Sequence, residues 1–329
     1  MARQVARRPV GRLRTAKTAV ALVATAAAFV ESGGARADEG GSGFWLPGSF
    51  AAQAAAPAAL GLTIETSYYH ATANASPTLS LTRGNNVTTG LNTTSNFLSV
   101  TPTYALATPG LGGQLELSVT FLMGNYTAAD PGTTSADSMT AAGDLSPSAA
   151  QKWNMGADNF MAYAAANVPV GGYDPSRLAT TGLGYWAVDG GAGYTYFDEA
   201  TGREFSAVLG ITYNFMNPNT AYQTGIDLHL DLSASQYLSD KFYAGVAGYF
   251  YNQITGDSGS GAVLGAFPSR VAGVGPQIGY DFSLGGREGS LSARGYYEFA
   301  AENRPFGWNA WLTLSIALGA PAKKTAPAL

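Results

Sequence analysis

Leu115, Leu117, Val119, Phe121 and Met123 alternate with Gln114, Glu116, Ser118 and Thr120, and this period of two recurs down the chain. Phe205, Ala207, Leu209, Ile211, Tyr213 and Phe215 stand opposite Glu204, Ser206, Thr212 and Asn214, while Leu312, Leu314 and Ile316 share one face of 308–318. Such alternation places successive side chains on opposite faces of an extended strand. The runs are long. Soluble strands average about five or six residues, whereas a strand crossing a bilayer needs about 9–11. In water these strands would need a second layer over their apolar face, and no amphipathic helical stretch supplies it. In lipid every backbone group must be paired, so the strands must close on themselves. The pattern predicts an all-β fold, a transmembrane antiparallel β-barrel.

Eleven segments carry the signal, near 60–71, 96–108, 113–124, 159–168, 184–197, 203–215, 224–238, 241–254, 269–282, 290–300 and 308–318. Bacterial single-chain barrels have even strand counts, with short periplasmic turns and longer external loops. Connections 109–112, 198–202, 239–240 and 283–289 are short; 72–95, 125–142, 168–183 and 255–268 are long. That alternation is complete only with a twelfth strand between 124 and 159. "GDLSPSAAQKWN" (143–154) is the candidate, although Pro147 marks it as an edge-like strand. Tyrosines and tryptophans fall mostly toward strand ends, as interfacial girdles require.

The start of the chain reads as a separate object. Six basic residues up to Lys17 precede the apolar run 18–30, and Ala35-Arg36-Ala37 follows, the arrangement of a cleaved secretory signal peptide over 1–37. Removing it takes 7 of the 18 basic residues and 1 of the 22 acidic ones, leaving 11 against 21. An acidic mature chain lacks the electrostatic footprint of a nucleic-acid binder. The absence of cysteine excludes disulfides and thiolate chemistry. Residues 38–59 form an N-terminal segment, 60–319 the barrel and 320–329 a C-terminal tail. The expected location is the outer membrane of a Gram-negative cell, reached by secretion across the inner membrane, with lipids and the barrel-assembly machinery as partners.

From Val168 onward "GGYDPSRL" (171–178), "TYFDEATGREFS" (195–206), "NPNTAYQTG" (217–225), His229-Leu230-Asp231 and "DSGSGAVLGAFPSRV" (257–271) follow in order, with "GGSGFWLPGSF" (40–50) and Tyr68-Tyr69 upstream. The series resembles the MetA-pathway of phenol degradation family of outer-membrane transport proteins. The resemblance implies uptake of small hydrophobic or aromatic solutes. Members typically stop at the last strand; here "APAKKTAPAL" follows Gly319.

Asp227, His229 and Asp231 share the polar face of a strand whose other face is Ile226, Leu228, Leu230 and Leu232. A metal would need three or four ligands converging at about 2 Å, and the second histidine, His70, stands near the end of the first strand segment. The three residues read as lumen lining, with no catalytic or metal role and no cofactor. Glu65, Glu116, Glu204, Arg294 and Glu298 also lie on polar faces and read as lumen lining or as structural charge pairs. Phe44, Trp45, Leu46 and Phe50 are apolar side chains on a segment that would otherwise face the periplasm. They suit a plug folded into the barrel, or a tail packed on its rim. Passive channel is the leading function; a barrel hydrolase and a structural or adhesive barrel acting through its loops are the alternatives.

Overall fold

The computed structural model describes residue 39 and residues 43–319 apart from 134 and 267. The leader at 1–37 and the tail at 320–329 lie outside the described residues. Twelve antiparallel strands form a closed barrel in which each pairs with its sequence neighbours and the last closes on the first. They are β1 (Gly61–Arg83), β2 (Asn86–Thr108), β3 (Gly113–Ala129), β4 (Ala136–Met155), β5 (Asp158–Asn167) and β6 (Ala187–Asp198), then β7 (Arg203–Asn214), β8 (Asp227–Tyr237), β9 (Phe242–Gln253), β10 (Arg270–Leu284), β11 (Arg287–Glu302) and β12 (Phe306–Ala317). The seam runs from Thr63↔Ala317 to Asn74↔Phe306, so no edge is left along it.

The strand that lacks clear alternation is present as β4. Pro147 is not on an edge: it pairs with Val119 of β3 inside the sheet. On its other side the register with β5 stops at Ser148↔Ala165 and returns only as the Leu145↔Val168 bridge. A residue without an N–H fits where the ladder is interrupted.

Segments 72–95 and 125–142 differ from the sequence expectation of long loops. β1 and β2 continue to a turn at Gly84-Asn85, and β3 and β4 continue to 130–135. At 23 residues each, β1 and β2 far exceed the 10 to 12 of β5 to β9 and β12. The surplus projects on the external side, where Leu81 and Leu91 are fully buried and Val87 is exposed, and where Pro77 and the irregular register between Ala75 and Ser80 interrupt the alternation. True external loops remain at 168–186, 215–226 and 254–269. The periplasmic turns are tight. At Gly285-Gly286 both residues have positive φ, 59° and 78°, as a two-residue hairpin turn of primed type requires.

The two faces of the wall are chemically opposite. Leu98, Val100, Leu117, Phe121, Leu209, Ile211, Val246, Ile278, Leu312 and Leu314 are exposed on the outside, where lipid rather than water would meet them. Tyr68, Tyr104, Tyr213, Tyr280, Tyr297 and Trp308 share that exterior, whereas Tyr69, Tyr163, Tyr249, Tyr251 and Tyr296 point inward. His70 also sits outside. It lies in mid-strand because β1 runs on to Arg83, with its ring 4.9 Å from Trp308 and Nδ1 2.8 Å from Asn96 Oδ1.

Two substitutions test this arrangement. Thr133→Cys is expected to react with an impermeant maleimide on intact cells and Ser239→Cys only after the outer membrane is breached; labelling of both from outside would refute the topology. Leu230→Arg places a charge on the lipid face of β8 and is expected to lower unfolding stability by about 2–4 kcal/mol, measured in lipid vesicles by urea titration.

Candidate functional site: a segment inside the barrel

The residues before β1 run along the inside of the wall. Ala58 donates its N–H to Glu116 Oε1 (3.0 Å) and accepts from Gln114 Nε2 (2.9 Å) at the periplasmic end of β3. Lys152 donates to Ala56 O (3.2 Å) while it pairs with Glu116 at 3.0 Å. Higher up, the N–H of Ala55 reaches Thr195 Oγ1 (3.0 Å), and that of Gln53 reaches Glu204 Oε1 and Ser206 Oγ, both at 3.0 Å. Arg294 Nε donates to Gly48 O (3.1 Å) and Trp311 Nε1 to Pro47 O (3.1 Å). At the external end Glu39 accepts from Asn217 Nδ2 at 3.0 Å and from Tyr173 at 3.4 Å. A segment with no sheet partners thus has its polar backbone atoms met by inward side chains, as buried amides and carbonyls require.

Trp45 is the best-anchored residue of the segment. Its indole N–H donates to Asp231 Oδ2 (3.1 Å), and its ring lies parallel to His229 (centroids 5.0 Å apart, 20°) and to Tyr251 (5.9 Å, 9°). Tyr249 meets it edge-on at 5.6 Å. His229 is itself held from below: Nε2 lies 3.0 Å from Asp189 Oδ2 and 3.4 Å from Tyr163 Oη, and Thr212 donates to the same carboxylate oxygen at 2.5 Å. The imidazole fits because Gly210 stands opposite it on β7. A Cβ at Gly210 would fall 2.4 Å from Nε2 and 2.2 Å from the Tyr163 hydroxyl.

The sequence-predicted residues thus separate into two groups. Glu204, Asp227, His229 and Asp231 face inward but are covered, nearly all their surface lost beneath the segment and its neighbours. Tyr251 and Asn214 donate to the two oxygens of Asp227, each at 2.8 Å. Glu65, Glu116, Arg294 and Glu298 line an open cavity, joined there by Phe44, Trp45, Leu46 and Phe50. Phe50 packs on Tyr163 with centroids 5.2 Å apart. Glu298 takes the Tyr249 hydroxyl (2.8 Å) and the Gly307 N–H (2.7 Å), and the Arg294 guanidinium lies 4.9 Å over Trp311. Among the described residues no group of three or more acidic or histidine side chains is placed to hold a metal ion.

Sequence reasoning missed Asp189, Tyr163, Thr195 and Lys152. Asp189 stands in "VDGGAGYTY", where glycines blank out the polar-apolar rhythm. Only its parity with Thr195 along β6 could have marked it as inward.

The cavity measures about 850 Å³ and is eccentric. Its lining comes mainly from β1 to β5, β11, β12 and the segment, with Asp189 of β6, Tyr237 of β8, Tyr243 of β9 and Asp281 of β10. Its lining extends from Lys152 and Ser315, near the periplasmic turns, to Arg177 and Gly84 at the external rim. Loop 168–186 closes over part of that rim. Arg177 binds Asp137 through Nη2 at 2.6 Å, and the N–H of Asn85 donates to Pro175 O at 2.7 Å.

Trp45→Ala removes three ring contacts and one charge-assisted hydrogen bond together. It is expected to loosen the segment by about 3–5 kcal/mol, read as faster protease cleavage within 43–59 of the purified protein in detergent. Trp45→Phe keeps the stacking without the N–H and is expected to fall between; cleavage as slow as in the parent chain for both variants would contradict this anchoring.

The fold is similar to that of the COG4313 outer membrane channel from Pseudomonas putida F1, with a TM-score of 0.64 at 15% identity over 78% of this chain and 96% of that one. Weaker likeness extends to the transport unit of the autotransporter AIDA-I from Escherichia coli (TM-score 0.46, 10% identity, 79% and 90% covered). A Pseudomonas aeruginosa FadL homologue follows (TM-score 0.40, 8% identity, 78% and 88% covered). At these identities the first match speaks for the barrel fold alone. No curated protein matches the chain. The family model described as "Putative MetA-pathway of phenol degradation" matches residues 112–314, well over half of the 329, and the chain belongs to that family.

Proposed function

We propose that the protein is a passive outer-membrane channel for small hydrophobic or aromatic compounds, with residues 38–59 as a plug that narrows the lumen. The observation that carries this reading is the cavity whose lining extends from the periplasmic end to the external rim, with apolar and aromatic side chains along the segment side. Eight strands leave an interior that side chains can fill, and twelve enclose more. The family name, with its reference to phenol degradation, supports the same solute class. A barrel hydrolase would need its histidine within reach of a substrate. His229 has no exposed surface and is covered by Trp45, which argues for a structural role.

In liposomes, the protein is expected to admit a labelled aromatic solute faster than protein-free vesicles do, and a chain lacking 38–59 faster still. Uptake equal to that of protein-free vesicles, or hydrolysis of an added ester, would overturn the channel reading.

A further inference from the structure

The outer face of β1 to β4 changes chemistry abruptly. One row across these strands, Tyr68, Leu98, Met123 and Ala142, is apolar apart from the tyrosine hydroxyl. The next row toward the external side is His70, Asn96, Asn125 and Thr140. Above it stand Thr72, Thr94, Thr127 and Ser138, followed by Asn74 and Asn92. Each row is in register from strand to strand, so its polar side chains form a ladder with a spacing of about 4.8 Å. On β7, β11 and β12 the outward face instead stays aromatic near the external end, at Tyr213, Phe299 and Phe306. Phe306 and Trp308 stand beside Asn74 and Thr72, and outward aromatic rings mark the headgroup level of a membrane. The polar rows therefore begin where hydrocarbon gives way to headgroups.

The ladders hold themselves in place. Tyr68 Oη and His70 Nδ1 both lie 2.8 Å from Asn96 Oδ1, a carbonyl oxygen that accepts from each. The two N–H groups of the Asn96 amide take no part in those bonds. Asn125 Nδ2 donates to Ser138 Oγ and Thr140 Oγ1, both at 2.9 Å, and its Oδ1 accepts from Thr127 at 3.3 Å. His70 is the only ionisable side chain in the polar rows. Directly below them the outer wall carries a groove of about 440 Å³, within the range of about 300–1,000 Å³ that small-ligand pockets occupy. Tyr68, Leu98, Met123 and Ala142 line it, and Asn96 and Thr140 border it above. Phe97, Gly124 and Ala141 form the row between, which supplies no outward side chain.

We infer that this face is a docking site for the glycolipid of the outer leaflet, with an acyl chain in the groove, its linkage carbonyl at Asn96 and Thr140, and the sugar against the Asn–Thr–Ser ladders. Each part meets its complement. The chain finds apolar surface, and the carbonyl finds the amide donors of Asn96. Sugar hydroxyls both donate and accept, as the amides and hydroxyls of the ladders do. A site built for an anionic headgroup would present Arg or Lys, and these rows contain neither. Recognition therefore runs through neutral hydrogen bonds, which salt does not screen as it screens exposed charges. A diacyl phospholipid would fill the groove and leave the ladders unused.

The test loads the full chain in detergent with lipid A, an acylated glucosamine disaccharide, or with phosphatidylethanolamine. Retained lipid is counted by native mass spectrometry after a high-salt wash. Lipid A is expected to be held about tenfold better, the gain of two net hydrogen bonds. Asn96→Leu with Asn125→Leu is expected to lower its retention about tenfold by removing that gain, and to affect phosphatidylethanolamine less. Ala142→Phe fills the groove and is expected to lower retention of both lipids. Val246→Phe, on the outer face of β9, is expected to change neither. Folding is judged by heat-modified gel mobility, and Ala142→Phe gives a second reading should the double variant not fold. Phosphatidylethanolamine held as well as lipid A, lipid A lost in the high-salt wash, or lipid A held equally by the parent and a folded variant of either kind would overturn the site. A mass of two chains without lipid would make this face a contact between copies, and would overturn it as well.

Discussion

A backbone amide in hydrocarbon finds no water to bond, and every other feature of this molecule is arranged around that fact. The β1–β12 seam satisfies it for the wall. Inside, the same demand falls on residues 43–58, which pair with no strand. Glu116, Thr195, Glu204, Ser206 and Arg294 meet that segment's N–H and C=O groups one by one. The inward-facing acids and bases thus do what a neighbouring strand does elsewhere. They make a non-sheet segment compatible with a buried position.

Most of the fold was legible in the sequence because lipid outside and polar groups inside force a strict rhythm on any strand that separates them. On β8, "IDLHLDLS" states that rhythm outright. β4 was legible only through parity of the connections, since Pro147 and a run of Ser and Ala blur its faces. The rhythm is lost in 72–95, where Pro77 and the irregular register between Ala75 and Ser80 break the run, although Leu81 and Leu91 are still fully buried.

The candidate site was half legible. Parity alone assigns Asp227, His229 and Asp231 to the inside, yet nothing local says that Trp45, 186 residues away from Asp231, will lie over them. Partners of that kind are set by closure of the whole barrel. Nor does the sequence separate covered inward residues, such as Glu204, from those that line free space, such as Glu65. That division depends on which side of the lumen the segment takes. Gly210 shows how narrow the choice is, because any side chain there would occupy the volume that His229 and Tyr163 fill.

The path of the segment has a mechanical consequence. It enters β1 at the periplasmic end, passes Trp45 at mid-height and has Glu39 beside Asn217 and Tyr173 at the outer mouth. Its anchors are therefore strung in series along the barrel axis. The lower end is continuous with β1, so load reaches the anchors from the outer end. A pull outward along the barrel axis strains all of them together, in shear, whereas folding the outer end back toward the periplasm breaks them one after another, a directional resistance that arises from the line of the chain and from no single contact.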